Sequence, residues 1–337
     1  MSDTAGRMTS KGGITRRRFV SILAAAGAVS LTPRGLGAAG PRTFTWEGVA
    51  LGAQATLVLQ HADGAAANAA IAACLDEVAR LEAIFSLHRS DSALSRLNRL
   101  GRIAAAPIEL RELLAEAFRL SRQSQGAFDP TIQPLWRVYA DHYAGPGALP
   151  EGPSHERIAA ALTLVDWRKV DIDGASISLR LPGMAVTLNG IAQGFITDRV
   201  GMLLRAHGFK HVLVNMGEGL ALGPKWDGTS WTIGIPDPNN LSVFLTELSL
   251  DKGAVATSGG YGYRFDPAGR FTHILDPKTG KPARAWASVT VLADSATLAD
   301  GLSTALSAAP PENASTILGG QGRAYLVPFG TATPFWL

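Results

Sequence analysis

Apolar residues recur at helical spacing in several segments of the chain. The clearest pattern spans residues 68–85, where apolar side chains stand at Ile71, Leu75, Val78, Leu81 and Phe85. Intervals of three and four residues place these side chains on one face and predict an amphipathic helix. Comparable spacing predicts further helices over residues 108–125, 190–208 and 296–308. Cys74 lies beside the first stripe, so we expect a small core residue rather than a reactive thiol.

Short apolar runs bounded by glycine or polar residues predict β-strands. These runs lie at residues 55–60, 211–215, 231–235, 244–250, 271–275 and 288–292. A proline- and glycine-rich stretch at residues 144–153 predicts a surface loop. Helices and strands alternate irregularly, without the regular βαβ order of a doubly wound fold. We therefore predict an α+β fold in which helices pack against mixed or antiparallel strands.

The first 39 residues differ from the rest of the chain in charge and pattern. Arg16, Arg17 and Arg18 precede an apolar run over residues 19–31, and small residues follow at positions 37–39. This order is typical of an export signal, and the arginine pair before Phe19 resembles a twin-arginine signal. An ordinary secretory signal or an uncleaved anchor is the alternative. We predict an export signal over residues 1–39, one domain over residues 40–337 and a periplasmic location, with a membrane anchor if the signal is not cleaved.

Composition narrows the class of protein. Of the 337 residues, 46% are hydrophobic and 18% are charged, which provides enough apolar surface for a large core. Cys74 is the single cysteine of the sequence, which excludes a disulfide framework and a cysteine zinc site. The net charge is +3, but the first 40 residues carry +5, which leaves −2 for the remainder. A nearly neutral remainder gives no reason to expect nucleic-acid binding.

Two stretches combine stiff or glycine-containing backbone with polar side chains. Residues 127–135 contain two prolines and present Asp129 and Thr131 as hydrogen-bond acceptors for a ligand. An Asx-type turn after a helix explains the same residues equally well. Residues 187–194 look like a strand that enters a helix through Gly190, where backbone groups can approach a phosphate or a metal. The alternative is a tight strand–helix junction with no ligand.

Two later stretches add a hydroxyl cluster, a histidine and a carboxylate. Ser258 precedes two glycines, and His273 stands just before a turn sequence at residues 276–280, where it can take a proton from a substrate hydroxyl. A structural hydrogen bond is the commoner role for such a histidine. Asp300 and Thr304 share one helix face, and with nearby carbonyls they form an oxygen set suited to Mg²⁺ rather than zinc. Alternatively, Asp300 interacts with the helix dipole.

The order of these four stretches resembles the ApbE family of flavin transferases, the FAD:protein FMN transferases. The resemblance spans most of the chain after residue 50 and includes residues 86–98 and 214–215. It implies an α+β fold with a T-fold-like core, Mg²⁺ as cofactor and FAD as flavin donor. It also implies transfer of FMN to a Thr or Ser hydroxyl of a partner, with release of AMP. The partner would be a flavoprotein with a Ser/Thr-Gly-Ala-Ser/Thr motif, such as a membrane-bound redox subunit.

The resemblance also assigns roles to individual residues. It implies a metal held by Asp300, Ser303, Thr304 and the carbonyl of Gly190. It implies a flavin pocket that includes Leu51, His88, Phe128, Asp129, Pro130, Thr131, Thr187, Gln193 and His273. His273 is then the candidate base for the acceptor hydroxyl, and Asp300 is divided between metal ligand and base.

The chain departs from the family pattern near the nucleotide. The family usually has Asp-Leu-Gly-Gly-Ile-Ala-Lys-Gly at residues 187–194, whereas Thr187 and Gln193 here replace the acid and the lysine. We interpret the double change as the loss of a compensated charge pair. Leu51 replaces a common methionine, and His88 replaces a common aromatic residue. The signal and this altered turn are similar to the subgroup that flavinylates the membrane regulator of nitrous-oxide respiration.

Two other functions remain open from the sequence. The same Mg²⁺ site can serve a pyrophosphatase that splits FAD into FMN and AMP, with water as nucleophile. The protein can also be a non-catalytic periplasmic flavin-binding or assembly protein. Products formed from FAD with and without an acceptor peptide distinguish these functions from transfer.

Overall fold

The structure is a computed structural model that describes residues 40–50, 52–330 and 332–337. The predicted export signal at residues 1–39 and the predicted flavin contact Leu51 lie outside the described residues, so both stay predictions. In the described part of the chain, no helix combines the length and the apolar character needed to cross a membrane.

Helices and strands are interspersed along the whole described chain. The helices are α1 (Gly64–Phe85), α2 (Ala93–Leu100), α3 (Ile108–Gln123), α4 (Gln133–Ala144), α5 (His155–Leu162), α6 (Ala192–Ala206), α7 (Ala296–Ala308) and α8 (Ala314–Leu318). The strands are β1 (Arg42–Ala50), β2 (Ala53–His61), β3 (Arg102–Ile103), β4 (Val170–Asp173), β5 (Ser176–Leu179), β6 (Val212–Asn215), β7 (Gly219–Ala221), β8 (Trp231–Asp237), β9 (Asn240–Leu250), β10 (Gly253–Gly259), β11 (Trp286–Ala293), β12 (Arg323–Pro328) and β13 (Phe335–Trp336).

An eight-stranded sheet with the order β1-β2-β6-β7-β10-β11-β12-β13 forms the centre of the fold. Its neighbouring strands pair antiparallel throughout. Leu57 and Leu59 on β2 belong to the main core together with residues of α1, α6 and α7, whereas Val58 belongs to the core on the opposite face. There the β8–β9 hairpin covers the sheet with Trp231 and Ile233. This period-two alternation gives the sheet two buried faces, and the predicted α+β class is confirmed.

Helix α1 begins four residues before the predicted start because Asp63 caps it. The Asp63 carboxylate accepts hydrogen bonds from the backbone N–H groups of Ala65 at 2.8 Å and Ala66 at 3.1 Å. Cys74 is fully buried on the apolar face of the helix. Burial raises the pKa of its thiol to about 12, so the thiol stays protonated and inert, as expected of a core residue.

Two predicted strands are absent from the described residues. Residues 271–275 make only isolated bridges, because Phe271 packs into an aromatic cluster with Tyr139 and Tyr143 instead of joining a sheet. Residues 187–188 are likewise not a strand. The Thr187 N–H bonds to the carbonyl of Pro130 at 2.7 Å, and the backbone of the preceding residue bonds to the Asn98 side chain. A loop and a side chain thus satisfy backbone groups that a neighbouring strand would otherwise pair.

Helices α6 and α7 contact each other almost backbone to backbone. A Cβ atom at Gly194 would overlap the carbonyl oxygen of Ala296, so glycine is needed at this crossing. One turn along α6, the Asp198 carboxylate accepts hydrogen bonds of 2.8 Å from the backbone N–H groups of Ala296 and Thr297. The Thr297 hydroxyl also donates to it, at 2.6 Å. Asp198 therefore caps α7 from the neighbouring helix and sets its position.

Replacing Gly194 with alanine should destabilise the fold. Alanine favours a helix over glycine by about 1 kcal/mol, but the new methyl group meets a backbone carbonyl that cannot move away independently of α7. We expect a net loss of about 1–3 kcal/mol in the free energy of unfolding, measured by urea unfolding. Gly145→Ala is the control, because that residue has φ −76° and only ordinary contacts at 3.4 Å. Equal stability of both variants would contradict the close contact.

Candidate active site

One cleft brings together the four stretches singled out in the sequence. Its walls include Phe128, Asp129 and Pro130 from the first stretch, and Thr187, Asn189 and Gly190 from the second. The third contributes Ser258 and His273, and the fourth contributes Thr304. One side of the cleft is apolar, with Ile132, Trp136, Ile274 and Leu275, and the other is rich in oxygen atoms. Such a division suits a ligand with an aromatic part and a charged part.

The oxygen-rich side is built where the turn before α6 meets α7. The Thr304 hydroxyl donates to the carbonyl oxygen of Gly190 at 3.2 Å, and it lies 3.3 Å from the Ser258 hydroxyl on β10. A Cβ atom at Gly190 would come within 2.8 Å of the Thr304 methyl group. The absence of a side chain at Gly190 therefore permits the approach of these oxygen atoms.

Ser303 and Asp300 lie behind this surface and are fully buried. The Ser303 hydroxyl donates to the Asp300 carbonyl at 2.9 Å, so at its 2.8 Å contact with Ser258 it acts as the acceptor. One carboxylate oxygen of Asp300 accepts the Gly194 N–H at 3.0 Å. Since a hydroxyl has one proton, these bonds orient both serines and fix the set of oxygens around Thr304.

The chemistry of this oxygen set fits a hard divalent cation. It offers one carboxylate, a backbone carbonyl and hydroxyl groups, and it contains no sulfur or nitrogen donor from a side chain. No group of three or more His, Cys, Asp and Glu side chains comes together within the described residues. A cation at this place would therefore depend on Asp300 for its charged ligand, and on neutral oxygens for the remainder.

His273 lines the cleft, and one of its ring nitrogens is hydrogen-bonded within the protein. Its Nδ1 lies 3.1 Å from the carbonyl oxygen of Tyr263, and its backbone N–H bonds to the same oxygen. A carbonyl only accepts hydrogen bonds, so Nδ1 carries the proton in the neutral ring. Nε2 is then the basic nitrogen, which is the tautomer that can take a proton from a substrate.

The Asp129 segment forms a rigid wall between the cleft and a hollow lined by Arg122, Val165 and Trp167. The Asp129 carboxylate accepts from the N–H of Thr131 at 2.8 Å, from its hydroxyl at 2.6 Å and from the Trp167 N–H at 3.2 Å. This is the Asx-type turn considered from the sequence. Thr131 is fully buried and also accepts the Asp166 N–H, so it positions Asp129 from behind the wall. Burial raises the pKa of Asp129 to about 6.

A model of the ApbE family matches residues 51–326, which include every part of this site. The chain belongs to the ApbE family. It is 36% identical over 240 residues to the protein of Haemophilus influenzae named FAD:protein FMN transferase, across 67% of this chain and 68% of that protein. A Vibrio cholerae protein of the same name is 34% identical over 229 residues, across 66% of this chain and 67% of that one.

A solved structure of the family has the same fold. The apo form of the Pseudomonas stutzeri flavinyl transferase ApbE aligns with a TM-score of 0.76 and 31% identity. The alignment covers 88% of this chain and 94% of that chain. The resemblance inferred from the order of the four stretches is therefore confirmed at the level of family and fold.

The positions that depart from the ApbE pattern differ in their surroundings. Thr187 lines the cleft, and its hydroxyl accepts the Asn189 N–H at 3.2 Å. Gln193 is buried at the start of α6, where its side chain packs against Gly217. His88 lies in a neighbouring hollow that shares Gln133 and Trp136 with the cleft. The compensated pair of Thr187 and Gln193 stays a prediction.

Sequence reasoning missed several residues that build this cleft. Trp136 was missed because no periodic signal was assigned to α4, and Gln133 belongs to the first stretch but was given no role there. Asn98 was part of the family resemblance, but its role is visible only in the fold. Its side-chain amide donates to the Val186 carbonyl at 2.8 Å and accepts the Val186 N–H at 2.6 Å. This pair of bonds, between residues far apart in sequence, holds the segment that leads to Thr187.

The raised pKa of Asp129 should make stability depend on pH in an unusual direction. Between about pH 4 and pH 6 the folded protein retains a proton that the unfolded chain releases, so this group lowers stability as the pH rises. Asp129→Asn removes that dependence. We expect the stability of the variant, relative to the unaltered protein, to rise by about 1–3 kcal/mol from pH 4 to pH 7, as measured by urea unfolding.

Asp227→Asn provides a control with the opposite sign. A hydrogen bond from the Thr229 hydroxyl holds the pKa of the exposed Asp227 below its usual value. That variant should therefore lose relative stability as the pH rises. The Asp129→Asn variant also loses the hydrogen bond from the Trp167 N–H, which lowers its stability equally at every pH. Only the slope of its stability against pH therefore tests the raised pKa of Asp129. If the difference in unfolding free energy between Asp129→Asn and the unaltered protein does not change with pH, the raised pKa of Asp129 is wrong.

Proposed function

We propose that this chain transfers FMN from FAD to a Ser or Thr hydroxyl of a partner protein, with Mg²⁺ as cofactor and AMP as the second product. The relatives named FAD:protein FMN transferase support this reaction class. The observation that carries the proposal is the meeting of Gly190, Thr304 and His273 in one cleft. An oxygen set for a pyrophosphate-bound cation thus lies in the same cavity as a base for a hydroxyl.

His273 supplies the base in this reaction. The acceptor hydroxyl oxygen forms a bond to the phosphorus on the FMN side of the pyrophosphate, and its proton passes to Nε2 of His273. The phosphorus–oxygen bond to the AMP phosphate breaks, and AMP leaves with that oxygen. The Tyr263 carbonyl keeps Nδ1 protonated and also stabilises the ring once it is positively charged. Asp300 is fully buried, so we assign the proton to His273 alone.

Gly190, Asp300 and Thr304 would hold the cation, with Ser303 supporting them from the second layer of hydrogen bonds. Mg²⁺ supplies neutralisation of the pyrophosphate charge when it is bound. The chain's own contribution is rigidity, because Gly194 fixes the Asp300 carboxylate and Ser258 orients the hydroxyl cluster. Pre-oriented oxygens of this kind need little reorganisation as charge moves to the leaving group.

We also propose that the protein acts in the periplasm. The support is the sequence of residues 1–39, with its paired arginines and short apolar run. A partner that receives FMN outside the cytoplasm would meet the enzyme there, and a membrane-bound redox subunit is one such partner.

Incubation with FAD and Mg²⁺, with and without a Ser-Gly-Ala-Thr peptide, tests the reaction directly. Transfer predicts a flavin-labelled peptide together with an equal amount of AMP, as resolved by mass spectrometry and chromatography. Equal AMP release without peptide would identify a pyrophosphatase instead. Bound but unreacted FAD would identify a flavin-binding protein.

Two substitutions separate the proposed ligands of the cation. Asp300→Asn keeps the side-chain volume but removes the single carboxylate, and we expect transfer to fall on the order of 100-fold or more. Thr304→Val removes a neutral ligand and keeps the shape, and we expect a loss of roughly tenfold. Excess Mg²⁺ should partly restore the threonine variant, since mass action fills a weakened site. The measurement is FMN transfer across a Mg²⁺ titration.

Thermal melts of both variants serve as the control for folding. Asp300 is fully buried and bonded to Gly194, so a melt is needed to separate lost charge from lost structure. Near-normal transfer by a folded Asp300→Asn protein at low Mg²⁺ would refute the assignment of the cation site.

A further inference from the structure

The cleft continues into a groove along the surface. The hollow that contains His88 shares Gln133 and Trp136 with the cleft. Beyond it, a third hollow between the end of α2 and strand β5 shares Asn98 and Arg99 with the second. The two outer hollows adjoin at Asn98 and Arg99, and together they form one solvent-exposed groove beside the cleft. We call it the arginine groove, after Arg99, Arg102, Arg137 and Arg180 in its walls.

The charge of this groove has a single sign. Its lining contains those four arginines and, among the described residues, no aspartate or glutamate. Arg180 is paired with Asp171 at 2.6 Å, outside the lining. Arg99, Arg102 and Arg137 are exposed and make no ion pair with any described residue. The chain after residue 40 has a net charge of −2, so this concentration of positive charge is local.

The backbone holds two of these arginines on a rigid turn. Gly101 caps the C-terminal end of helix α2; it has φ +70°, and its N–H bonds to the Leu97 carbonyl at 2.8 Å. The Gly101 carbonyl accepts the Leu179 N–H at 2.8 Å, and Arg102 then pairs with Ser178 in the small sheet. Arg99 and Arg102 are thus presented on either side of a turn bonded to β5. A preformed charged surface costs little ordering when a partner binds.

We propose that the arginine groove binds an acidic segment of the acceptor protein, next to the Ser or Thr that receives FMN. This inference rests on the proposed function, since the acceptor must enter the cleft from outside. Two joined hollows form an extended surface, which matches a polypeptide better than a single small anion. Arg102 and Arg137, which make no ion pair with a described residue, favour carboxylates because guanidinium groups bind them through paired N–H donors.

Binding of this kind should act on acceptor affinity and on salt dependence. The arginines lie outside the cleft wall that holds His273 and Thr304, so the chemical step itself should be unaffected. Exposed charges at the rim of an interface chiefly change association, and salt screens them. We expect acidic flanks to lower the KM for the acceptor about tenfold at low salt, with little change in kcat.

Direct binding tests the groove without relying on transfer. Three fluorescein-labelled peptides share a Ser-Gly-Ala-Thr core and differ only in acidic, uncharged or basic flanks. Fluorescence anisotropy with the full chain should give tightest binding for the acidic peptide and weakest for the basic one. The preference should shrink as salt is added. Equal affinities for the three peptides would overturn the proposal.

Charge reversal gives the sharper test. Arg102→Glu combined with Arg137→Glu should invert the order and favour the basic peptide, which a merely destabilised protein would not do. Arg157→Glu is the matched control, because Arg157 is exposed on α5 and lines neither hollow. The control should keep the preference for acidic flanks. Retention of that preference by the double variant would also overturn the proposal.

Transfer kinetics separate the groove from the flavin site and from the reaction. If the double variant has a higher KM for FAD and an unchanged KM for the acidic acceptor, the groove belongs to the flavin site and the proposal is refuted. If the protein prefers acidic peptides, the double variant reverses that preference, and no peptide is labelled with flavin, the binding proposal for the groove stands and the proposed transfer reaction is rejected. Failure of the two ideas is therefore distinguishable.

Discussion

The direct contact between helices α6 and α7 is the constraint on which the oxygen-rich end of the cleft depends. Gly194 lacks a side chain, so the two backbones approach until its N–H bonds to the Asp300 carboxylate at 3.0 Å. Asp198 adds a second attachment one turn away by capping the first turn of α7. Because these two attachments are one turn apart, they fix the rotation of α7 about its axis and its distance from α6. Thr304 is thereby held within 3.2 Å of the Gly190 carbonyl, although the two are far apart in sequence.

The opposite wall of the cleft depends on loops that hydrogen bonds make rigid. Asp129 receives three hydrogen bonds, and the Pro130 carbonyl receives the Thr187 N–H. Enclosing a carboxylate in this way opposes its ionisation, and the hydrogen bonds only partly compensate, so its pKa rises. Such a cost is tolerated because the same bonds tie three loops together. The Tyr263 carbonyl orients His273 and selects the tautomer in which Nε2 is the basic nitrogen.

Three surfaces of different chemistry meet at this cleft. An apolar wall around Trp136 suits an aromatic ring, the oxygens around Thr304 suit a cation with a pyrophosphate, and His273 lies within reach of both. The arginine groove extends from the apolar end, away from the oxygen cluster. Small-molecule donor and protein acceptor would then approach from different directions and meet at the base. This separation would let acceptor affinity change without disturbing the chemical step.

The sequence by itself determined the family, the α+β class, the long helices and the identity of most cleft-lining motifs. Helical periodicity and turn residues are local properties, and they predicted both ends of α7 and the C-terminal end of α1. Only the tertiary structure decided how the motifs are used. The strand expected at residues 271–275 is absent because Phe271 prefers an aromatic cluster, and Asn98 binds the backbone of Val186 across 88 positions. Contacts between distant residues depend on how elements pack, and no local pattern in a single sequence encodes that packing.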